Sequence, residues 1–308
     1  MRAFLARQLW KLECRLNKRL PVFSRAGTTR YLPRGQSKDV LAENERVAPG
    51  AAPAATSHSA RLLLGITTYG RPEECGQLLQ GLQRSLRDSG RWDEAFVVVV
   101  RDTSEHDYGP VLALLESSFP GRFAFYEGQR WLGKAGRYLT YQVLFDSMRA
   151  LSAQRALFFE DDVTVSLDFI EQALSTYDAI EDADKAVLYL AAFDDDEQDG
   201  RWVRAPRQRL QTPPVDRTQW FDLHAFAAGR RFFETLNWRL FRPHGWRWVG
   251  NPQRSSGVSE QMTLRLWGRA NIYQVRKTLA YHGEAPSMLN AEARRERSLN
   301  NFPGAARD

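Results

Sequence analysis

The sequence predicts an α/β fold in which a mixed, mostly parallel sheet carries helices on both faces. Three apolar runs in the first half have the length and the aliphatic or aromatic character of buried strands: residues 62–68, 96–100 and 156–159. Segments with helical periodicity follow these runs: residues 73–86, 110–117, 133–151 and 168–177. Strands that alternate with helices are typical of a parallel sheet covered on both sides.

The second half of the chain is less regular. Strands are predicted at residues 187–193, 220–227 and 272–275, and helices at residues 232–241 and 259–267. Residues 21–60 are interpreted as a linker, because Pro and Gly recur there without a sustained apolar period. The globular region is therefore expected to begin near Arg61 and to end near residue 290, with residues 291–308 as a tail.

The composition indicates a globular protein. Of the 308 residues, 43% are hydrophobic and 12% aromatic, which is enough apolar material for a sizeable core. The two cysteines, Cys14 and Cys75, lie in unrelated segments and predict neither a disulfide framework nor a zinc site. The net charge is +6, but no helix-turn-helix, zinc-finger or RNA-binding signature accompanies it, so we expect no nucleic acid partner.

Residues 1–20 predict a basic amphipathic helix. Leucines recur every three or four residues on one helical face, opposite a face of arginines and lysines: Leu5, Leu9, Leu12, Leu16 and Leu20. Such a helix can lie in a membrane interface, or it can pack on the protein body or on a partner. No apolar run is long enough to cross a membrane, and no secretory cleavage pattern follows. We therefore expect a cytoplasmic protein, bound peripherally to the cytoplasmic face of a membrane.

An acidic motif follows the third apolar run. Residues 157–162 read Leu-Phe-Phe-Glu-Asp-Asp, so a buried strand ends in three consecutive carboxylates. In open α/β sheets, ligands bind at the carboxyl ends of the strands. Carboxylates crowded at that edge repel one another unless a cation compensates them, and Mg²⁺ and Mn²⁺ prefer oxygen ligands. The motif therefore favours a metal site, and the alternative is an acidic loop or helix start.

The order of the motifs resembles that of GT-A-fold glycosyltransferases. Thr-Thr-Tyr-Gly-Arg-Pro follows the first strand at residues 67–72, Asp102 closes the second, and Trp-Leu-Gly-Lys-Ala-Gly opens a helix at residues 131–136, before the Glu-Asp-Asp motif. The chain is similar to the nucleotide-binding half of family 2 enzymes and to N-acetylglucosaminyltransferases that carry Glu-Asp-Asp in place of Asp-x-Asp. The resemblance is close over residues 61–175, the expected nucleotide-sugar half, and covers residues 176–290, the expected acceptor half, only in outline.

The resemblance implies a metal-dependent, inverting transferase that moves a hexosyl or N-acetylhexosaminyl group. The donor that we expect is a UDP-sugar, and the acceptor is a hydroxyl of a glycan or lipid-linked glycan. Carried over to this sequence, Asp162 is a ligand of Mn²⁺ or Mg²⁺, and Glu160 and Asp161 surround the donor. A metal at the diphosphate would act as a Lewis acid on the leaving group.

Three residues of the first two strand ends complete the expected donor site. Thr67 and Arg71 match the turn that borders the base and phosphates in the family. Asp102 matches the position that holds the nucleoside. The alternatives are a solvated loop arginine for Arg71 and a turn-forming aspartate for Asp102.

The general base that the resemblance implies is an acid at a helix start in the acceptor half, usually in an acidic pair. Here Glu260 is that acid, but the second position is Gln261. Glu260 is the candidate base, with helix capping through Ser259 as the alternative. The acidic cluster at residues 194–197 is the next candidate for the base, and otherwise a solvated or acceptor-facing loop.

His282 is the candidate for a C-terminal metal ligand, because some enzymes of this fold bring such a histidine to the metal. A lone histidine can equally be structural. The altered acid pair also leaves a nonenzymatic alternative open, a nucleotide- or glycan-binding module of this fold that scaffolds a membrane complex.

Overall fold

The computed structural model describes residues 5, 8, 9, 11, 12, 31–34, 60–128, 133–192, 208–210, 212–243, 245–249 and 254–282. The strands of the main sheet are β1 (Tyr31–Arg34), β2 (Leu62–Thr68), β3 (Ala95–Arg101), β4 (Phe123–Gly128), β5 (Arg155–Glu160), β7 (Lys185–Tyr189), β8 (Gln208–Arg209), β9 (Val215–Thr218), β10 (Ala225–Gly229) and β11 (Asn271–Val275). Two short strands, β6 (Val163–Val165) and β12 (Ala280–His282), pair with each other. The helices are α1 (Pro72–Asp88), α2 (Gly109–Ser118), α3 (Gly133–Ala150), α4 (Phe169–Ala179), α5 (Arg230–Thr235) and α6 (Val258–Leu266), with 3₁₀ turns at Trp92–Glu94 and Gly245–Trp248.

The main sheet has the strand order β1-β4-β3-β2-β5-β10-β7-β11-β9-β8. Strands β4, β3, β2 and β5 are parallel neighbours, so their carboxyl ends meet at one edge. Strand β10 runs antiparallel between β5 and β7, and β11 pairs with β7 in parallel. The predicted fold class, a mixed and mostly parallel sheet with helices, is confirmed.

Alternate side chains of the sheet form two apolar cores. Leu63, Phe96 and Val98 lie in the core with α3, α5 and α6. Leu64 and Val97 point the other way, into the core with α1, α2 and α4. This alternation follows from the two-residue period of a strand. Because both faces of the sheet are covered, the interior positions of β2, β3 and β5 are apolar.

Gly65 lets α3 pack closely over β2. A Cβ atom at this position would lie 2.6 Å from Cδ1 of Phe158 and 3.1 Å from Cδ2 of Leu144. Glycine is therefore required by the aromatic packing of the core rather than by the backbone conformation of the strand.

Some predicted elements are shifted in the second half. The strand predicted at residues 220–227 begins only at Ala225, because the carboxylate of Asp222 accepts the backbone N–H of Leu223 (2.8 Å) and competes with strand pairing. The helix predicted at residues 232–241 ends at Thr235, since Asn237 and Trp238 have positive φ angles.

The segments around the globular region are described only in part. Residues 5, 8, 9, 11 and 12 are helical, and the rest of the predicted amphipathic helix lies outside the described residues. Strand β1 lies within the segment interpreted as a linker and pairs antiparallel with β4. The tail at residues 291–308 lies outside the described residues. None of the described helices has both the length and the apolar character needed to span a membrane.

Candidate active site

The strand ends bring the predicted donor-site residues together. In the sheet register Thr67 lies opposite Glu160, and Thr68 lies opposite Arg101. The N–H of Asp102 donates to the carbonyl of Thr68 (2.9 Å), which fixes the ends of β2 and β3 side by side. The three segments that the sequence analysis selected therefore share one edge of the sheet.

Asp161 is held from the side of β2. Its Oδ2 accepts hydrogen bonds from the hydroxyl of Thr68 (2.9 Å) and from the N–H of Tyr69 (3.0 Å), and its Oδ1 lies 3.8 Å from Nη1 of Arg71. Burial raises the pKa of Asp161 to about 7, and the carboxylate of Asp162 acts in the same direction. These two adjacent acids therefore form a poorly solvated pair in which the charge of Asp162 disfavours ionisation of Asp161.

Tyr108 connects the backbone of Arg71 to the hydrogen bond between Thr68 and Asp161. Its hydroxyl accepts the backbone N–H of Arg71 (2.9 Å) and lies 2.6 Å from the hydroxyl of Thr68. Since Thr68 donates its proton to Asp161, Tyr108 donates to Thr68. A continuous chain of hydrogen bonds then runs from Arg71 through Tyr108 and Thr68 to Asp161. Sequence reasoning missed Tyr108, because no motif marks it and only the loop after β3 brings it to the site.

Asp162 forms an ion pair with Arg71, between Oδ2 and Nη1. The side chains are 4% and 7% exposed, respectively. Arg71 is thus not a solvated loop arginine, and the geometry removes that alternative. Its position after Gly70 and before the first turn of α1 places a buried cation directly against the acidic motif.

Glu160 forms an ion pair with Arg137 of α3, between Oε1 and Nη2. Both side chains are about one-fifth exposed, at 21% and 22%. The Trp-Leu-Gly-Lys-Ala-Gly segment at residues 131–136 opens α3 at Gly133, so this helix begins beside the acidic motif. Residues 131 and 132 of that segment lie outside the described residues.

Thr67 and Asp102 make local contacts at the same edge. The hydroxyl of Thr67 donates to the carbonyl of Phe159 at 3.5 Å. Oδ1 of Asp102 accepts the N–H of Thr103 (2.9 Å), a local contact with the next residue. Asp102 is nevertheless buried at the end of β3, so its role in holding a nucleoside stays a prediction.

Glu260 lies in the first turn of α6 and is also ion-paired. Its Oε2 contacts Nη1 of Arg247, and its Oε1 lies 3.5 Å from Nη2 of Arg254. Arg247 in turn donates to the carbonyl of Ser255 (2.9 Å). The helix is capped by the backbone of Gly257 and not by Ser259, so the capping alternative is wrong in that detail. The ion pair adds a structural role for Glu260 that sequence reasoning missed.

Gln261 explains why the expected acidic pair is altered. Its side-chain amide donates to the carbonyl of Phe241 and accepts the N–H of Phe241, both at 3.1 Å. An amide satisfies a backbone N–H and a C=O at once, whereas a carboxylate can only accept. Gln261 therefore ties α6 to the chain segment before the second 3₁₀ turn.

Of the two remaining candidates, only His282 lies within the described residues. In β12, His282 lies opposite Val163 in β6, the residue that follows Asp162. The backbone thus brings His282 next to the acidic motif, and its part as a metal ligand stays a prediction. The rival acidic cluster at residues 194–197 lies outside the described residues.

The chemistry of the acidic motif fits a hard divalent ion that shares its ligands with a substrate. Within the described ranges, no group of three or more His, Cys, Asp and Glu side chains is placed to hold a metal by itself. Asp161 and Asp162 instead offer a pair of carboxylates. Mg²⁺ is commonly bound by one or two carboxylates together with water and substrate phosphates.

Comparison with solved structures supports the fold. The crystal structure of S. aureus TarS 1-349 in complex with UDP-GlcNAc is 13% identical, with a TM-score of 0.51, over 76% of this chain and 61% of that chain. Another crystal structure of S. aureus TarS 1-349 is 12% identical, with a TM-score of 0.48, over 72% of this chain and 60% of that chain. The mannosyltransferase PcManGT from Pyrobaculum calidifontis, in complex with GDP-Man and Mn²⁺, is 13% identical, with a TM-score of 0.46, over 90% and 67%.

No protein-family model matches the chain, and no curated protein matches it significantly. The alignment spans about 61% of the TarS 1-349 chain. At such low identity the likeness to the UDP-GlcNAc complex shows the fold alone. The chain therefore has a Rossmann-like fold of the GT-A type, as its sequence predicts.

Proposed function

We propose that this chain is a glycosyltransferase that moves a sugar from a nucleotide-sugar donor to a hydroxyl. The observation that carries the proposal is the group of Glu160, Asp161 and Asp162 at the carboxyl edge, next to the buried Arg71. Acids at this edge of an α/β sheet suit a divalent ion, and arginines suit a diphosphate through bidentate hydrogen bonds. The fold that the chain shares with the UDP-GlcNAc complex of TarS supports this interpretation.

Residues of the acidic motif and two arginines would bind the diphosphate part of the donor. Asp162, with Asp161 and His282, would hold Mn²⁺ or Mg²⁺. Such an ion, when bound, supplies Lewis-acid stabilisation of the leaving diphosphate. Arg71 lies where it can contact the phosphates, and Arg137 keeps Glu160 oriented toward the donor.

The nucleoside and the acceptor would be bound by other residues. Thr67 and Asp102, at the ends of β2 and β3, would border the nucleoside. Glu260 would deprotonate the acceptor hydroxyl in an inverting reaction. The donor that we propose is a UDP-sugar carrying a hexosyl or N-acetylhexosaminyl group. The acceptor would be a glycan or lipid-linked glycan, reached through peripheral contact of residues 1–20 with the cytoplasmic face of a membrane.

A nonenzymatic module is the second candidate, and one observation favours it. Glu260 is ion-paired with Arg247 and Arg254, and Gln261 is hydrogen-bonded to Phe241, so both residues of the helix start expected to carry the base make structural contacts. Such a module would still bind a nucleotide at the Asp161 and Asp162 edge. It would not catalyse the transfer of a sugar from the donor.

A thermal-shift panel on the full chain tests the proposal. UDP, GDP, CMP and ADP are each added with and without Mn²⁺, and a ligand that binds the native state raises the melting temperature by mass action. We expect stabilisation by UDP only when Mn²⁺ is present, followed by release of UDP from UDP-sugars in an acceptor mixture. Asp178→Asn is the matched control, since Asp178 pairs with Arg155 at the amino end of β5, away from the site. No nucleotide-dependent shift would refute the transferase proposal, and binding without turnover would favour the module.

A further inference from the structure

Three leucines near the N terminus form an exposed apolar face, called here the leucine face. Leu5, Leu9 and Leu12 are helical and are 53%, 42% and 52% exposed, respectively. Their spacings of four and three residues place them on one side of the helix. A helix that packs on the protein body buries its apolar side, so these exposed fractions contradict such packing for the three leucines. Exposed apolar faces of this kind mark interaction surfaces.

The charge of the same segment indicates the partner of the leucine face. Residues 1–20 contain six arginines and lysines and a single acid, Glu13. Arg7, Lys11 and Arg15 recur every four residues, on the other side of the predicted helix. Pairing of two copies through their leucine faces would bring these like charges together. A bilayer with anionic lipids instead accepts the leucines among its acyl chains and attracts the cations to its surface.

Strand β1 determines where this segment joins the globular region. Tyr31 lies opposite Gly128, the last residue of β4, and Arg34 lies opposite Phe125. Since β4 is parallel to β3, β2 and β5, Tyr31 lies at the carboxyl edge of the sheet, where the acidic motif also lies. Leu20 is eleven residues before Tyr31 in the sequence, so at most roughly 40 Å separates the two. The leucine face is therefore tethered to the carboxyl edge.

Ion pairs connect β1 to the loop after β3. Nε of Arg34 lies 3.1 Å from Oε2 of Glu127, and Oε1 of Glu127 accepts a hydrogen bond from Nη1 of Arg101. Nη2 of Arg101 donates to the carbonyls of Ser104 (2.7 Å) and His106 (3.0 Å). The main-chain pairing of β1 supplies the attachment to the sheet, and these ion pairs join it to the loop beside the expected nucleoside site.

We propose that residues 1–20 bind the surface of an anionic bilayer through the leucine face, and that β1 makes the carboxyl edge of the sheet face this bilayer. The acceptor is then a lipid-linked hydroxyl that is presented at the bilayer surface, on the side of the acidic motif. The assignment of the acceptor rests on the proposed function, whereas the binding and the orientation rest on the leucine face and on β1.

Cosedimentation of the full chain with vesicles tests the binding. The vesicles contain phosphatidylcholine alone or an equal mixture with phosphatidylglycerol, and we expect at least about tenfold tighter binding to the mixture. Leu9→Ala should weaken this binding about tenfold, because apolar area is lost at the interface. Leu167→Ala is the matched control, since Leu167 is 56% exposed but precedes α4, and it should change the binding by less than about twofold.

Energy transfer from a dye on the protein to a dye-labelled lipid tests the orientation. The dye is attached in a Cys14→Ser background, in which the remaining Cys75 is buried. Glu105→Cys places it in the exposed loop after β3, at the carboxyl edge, and Gln154→Cys places it before β5, at the amino edge. The two edges are separated by the length of a seven-residue strand, about 20 Å. Transfer should therefore be stronger from residue 105.

A longer tether tests the part that β1 plays. A flexible Gly-Ser spacer of about 30 residues, inserted after residue 25, adds a reach of roughly 30 Å. This variant should bind the anionic vesicles as tightly as the wild type, and the difference in energy transfer between residues 105 and 154 should disappear.

Several results overturn the inference. Absent vesicle binding, or equal losses in Leu9→Ala and Leu167→Ala, refutes a bilayer as the partner, and a dimer that Leu9→Ala abolishes in analytical ultracentrifugation assigns the leucine face to a second copy. Equal or stronger transfer from residue 154 refutes the orientation, and an unchanged difference with the spacer refutes the role of β1. A chain that binds UDP with Mn²⁺ but no vesicles loses this inference alone. A chain that binds vesicles in this orientation but no nucleotide loses the proposed function instead.

Discussion

Replacing Glu260 with Gln removes the negative charge from its buried ion pair with Arg247. The side chains of Arg247 and Glu260 are 2% and 6% exposed, respectively. Breaking a buried pair in this way costs about 3–5 kcal/mol. Gln keeps the shape of Glu and one acceptor oxygen, so we expect the free energy of unfolding to fall by about 3 kcal/mol, the lower end of that range.

Urea unfolding of the full chain, followed by tryptophan fluorescence, measures this loss. Arg247→Met and the double variant complete a double-mutant cycle, in which a contacting pair couples by about 0.5–3 kcal/mol. Glu234→Gln is the control, because it breaks the exposed pair with Arg230 and should change the free energy of unfolding by less than about 1 kcal/mol.

Sugar transfer by the same variants separates the two roles of Glu260. A change in unfolding free energy below about 0.5 kcal/mol, within the range of neutral surface substitutions, would refute the structural argument. If transfer per folded molecule is then lost, Glu260 acts as the base alone. A loss of stability with full transfer per folded molecule would instead move the base elsewhere, with the cluster at residues 194–197 as the next candidate.

Three further predictions concern the first half of the chain. Asp162→Asn should weaken the Mn²⁺-dependent binding of UDP at least tenfold, by calorimetry, while the fold is retained by circular dichroism; full binding would remove Asp162 from the site. Tyr108→Phe leaves the buried N–H of Arg71 without its acceptor and should lower the free energy of unfolding by about 2 kcal/mol in urea, whereas a change below about 0.5 kcal/mol would contradict the hydrogen-bond chain. Gly65→Ala brings a Cβ to 2.6 Å from Phe158 and should cost about 1–3 kcal/mol of stability without changing UDP affinity per folded molecule; a neutral effect on the urea midpoint would show that the core relaxes freely.

The strands that position the site could be predicted because each is a long apolar run. Both faces of these strands are buried, so their side chains are apolar without alternation and each strand can be recognised in the sequence as a continuous apolar run. The strands are Leu62–Thr68, Ala95–Arg101 and Arg155–Glu160. Their parallel order then places the polar residues at their ends on one edge. The acidic motif and Arg71 were found for this reason.

The parts that the sequence did not reveal depend on distant partners. Strands β6 and β12 have three residues each and form only because they pair with each other. Strand β1 pairs with β4, although its segment has no apolar period. Whether Arg71 is solvated or buried depends on the residues packed around it, which no local sequence pattern indicates. The ion pair of Glu260 likewise depends on the position of Arg247, thirteen residues earlier in the chain.

Strand β10 has a mechanical consequence for the whole molecule. It pairs with β5 through five residues and with β7 through three, so one unbroken ladder crosses the boundary between the expected nucleotide-sugar half and the expected acceptor half. A hinge rotation of one half against the other would have to break these main-chain hydrogen bonds. We therefore expect ligand binding to proceed without rigid-body closure of one half on the other, with any adjustment confined to side chains and loops above the carboxyl edge of the sheet.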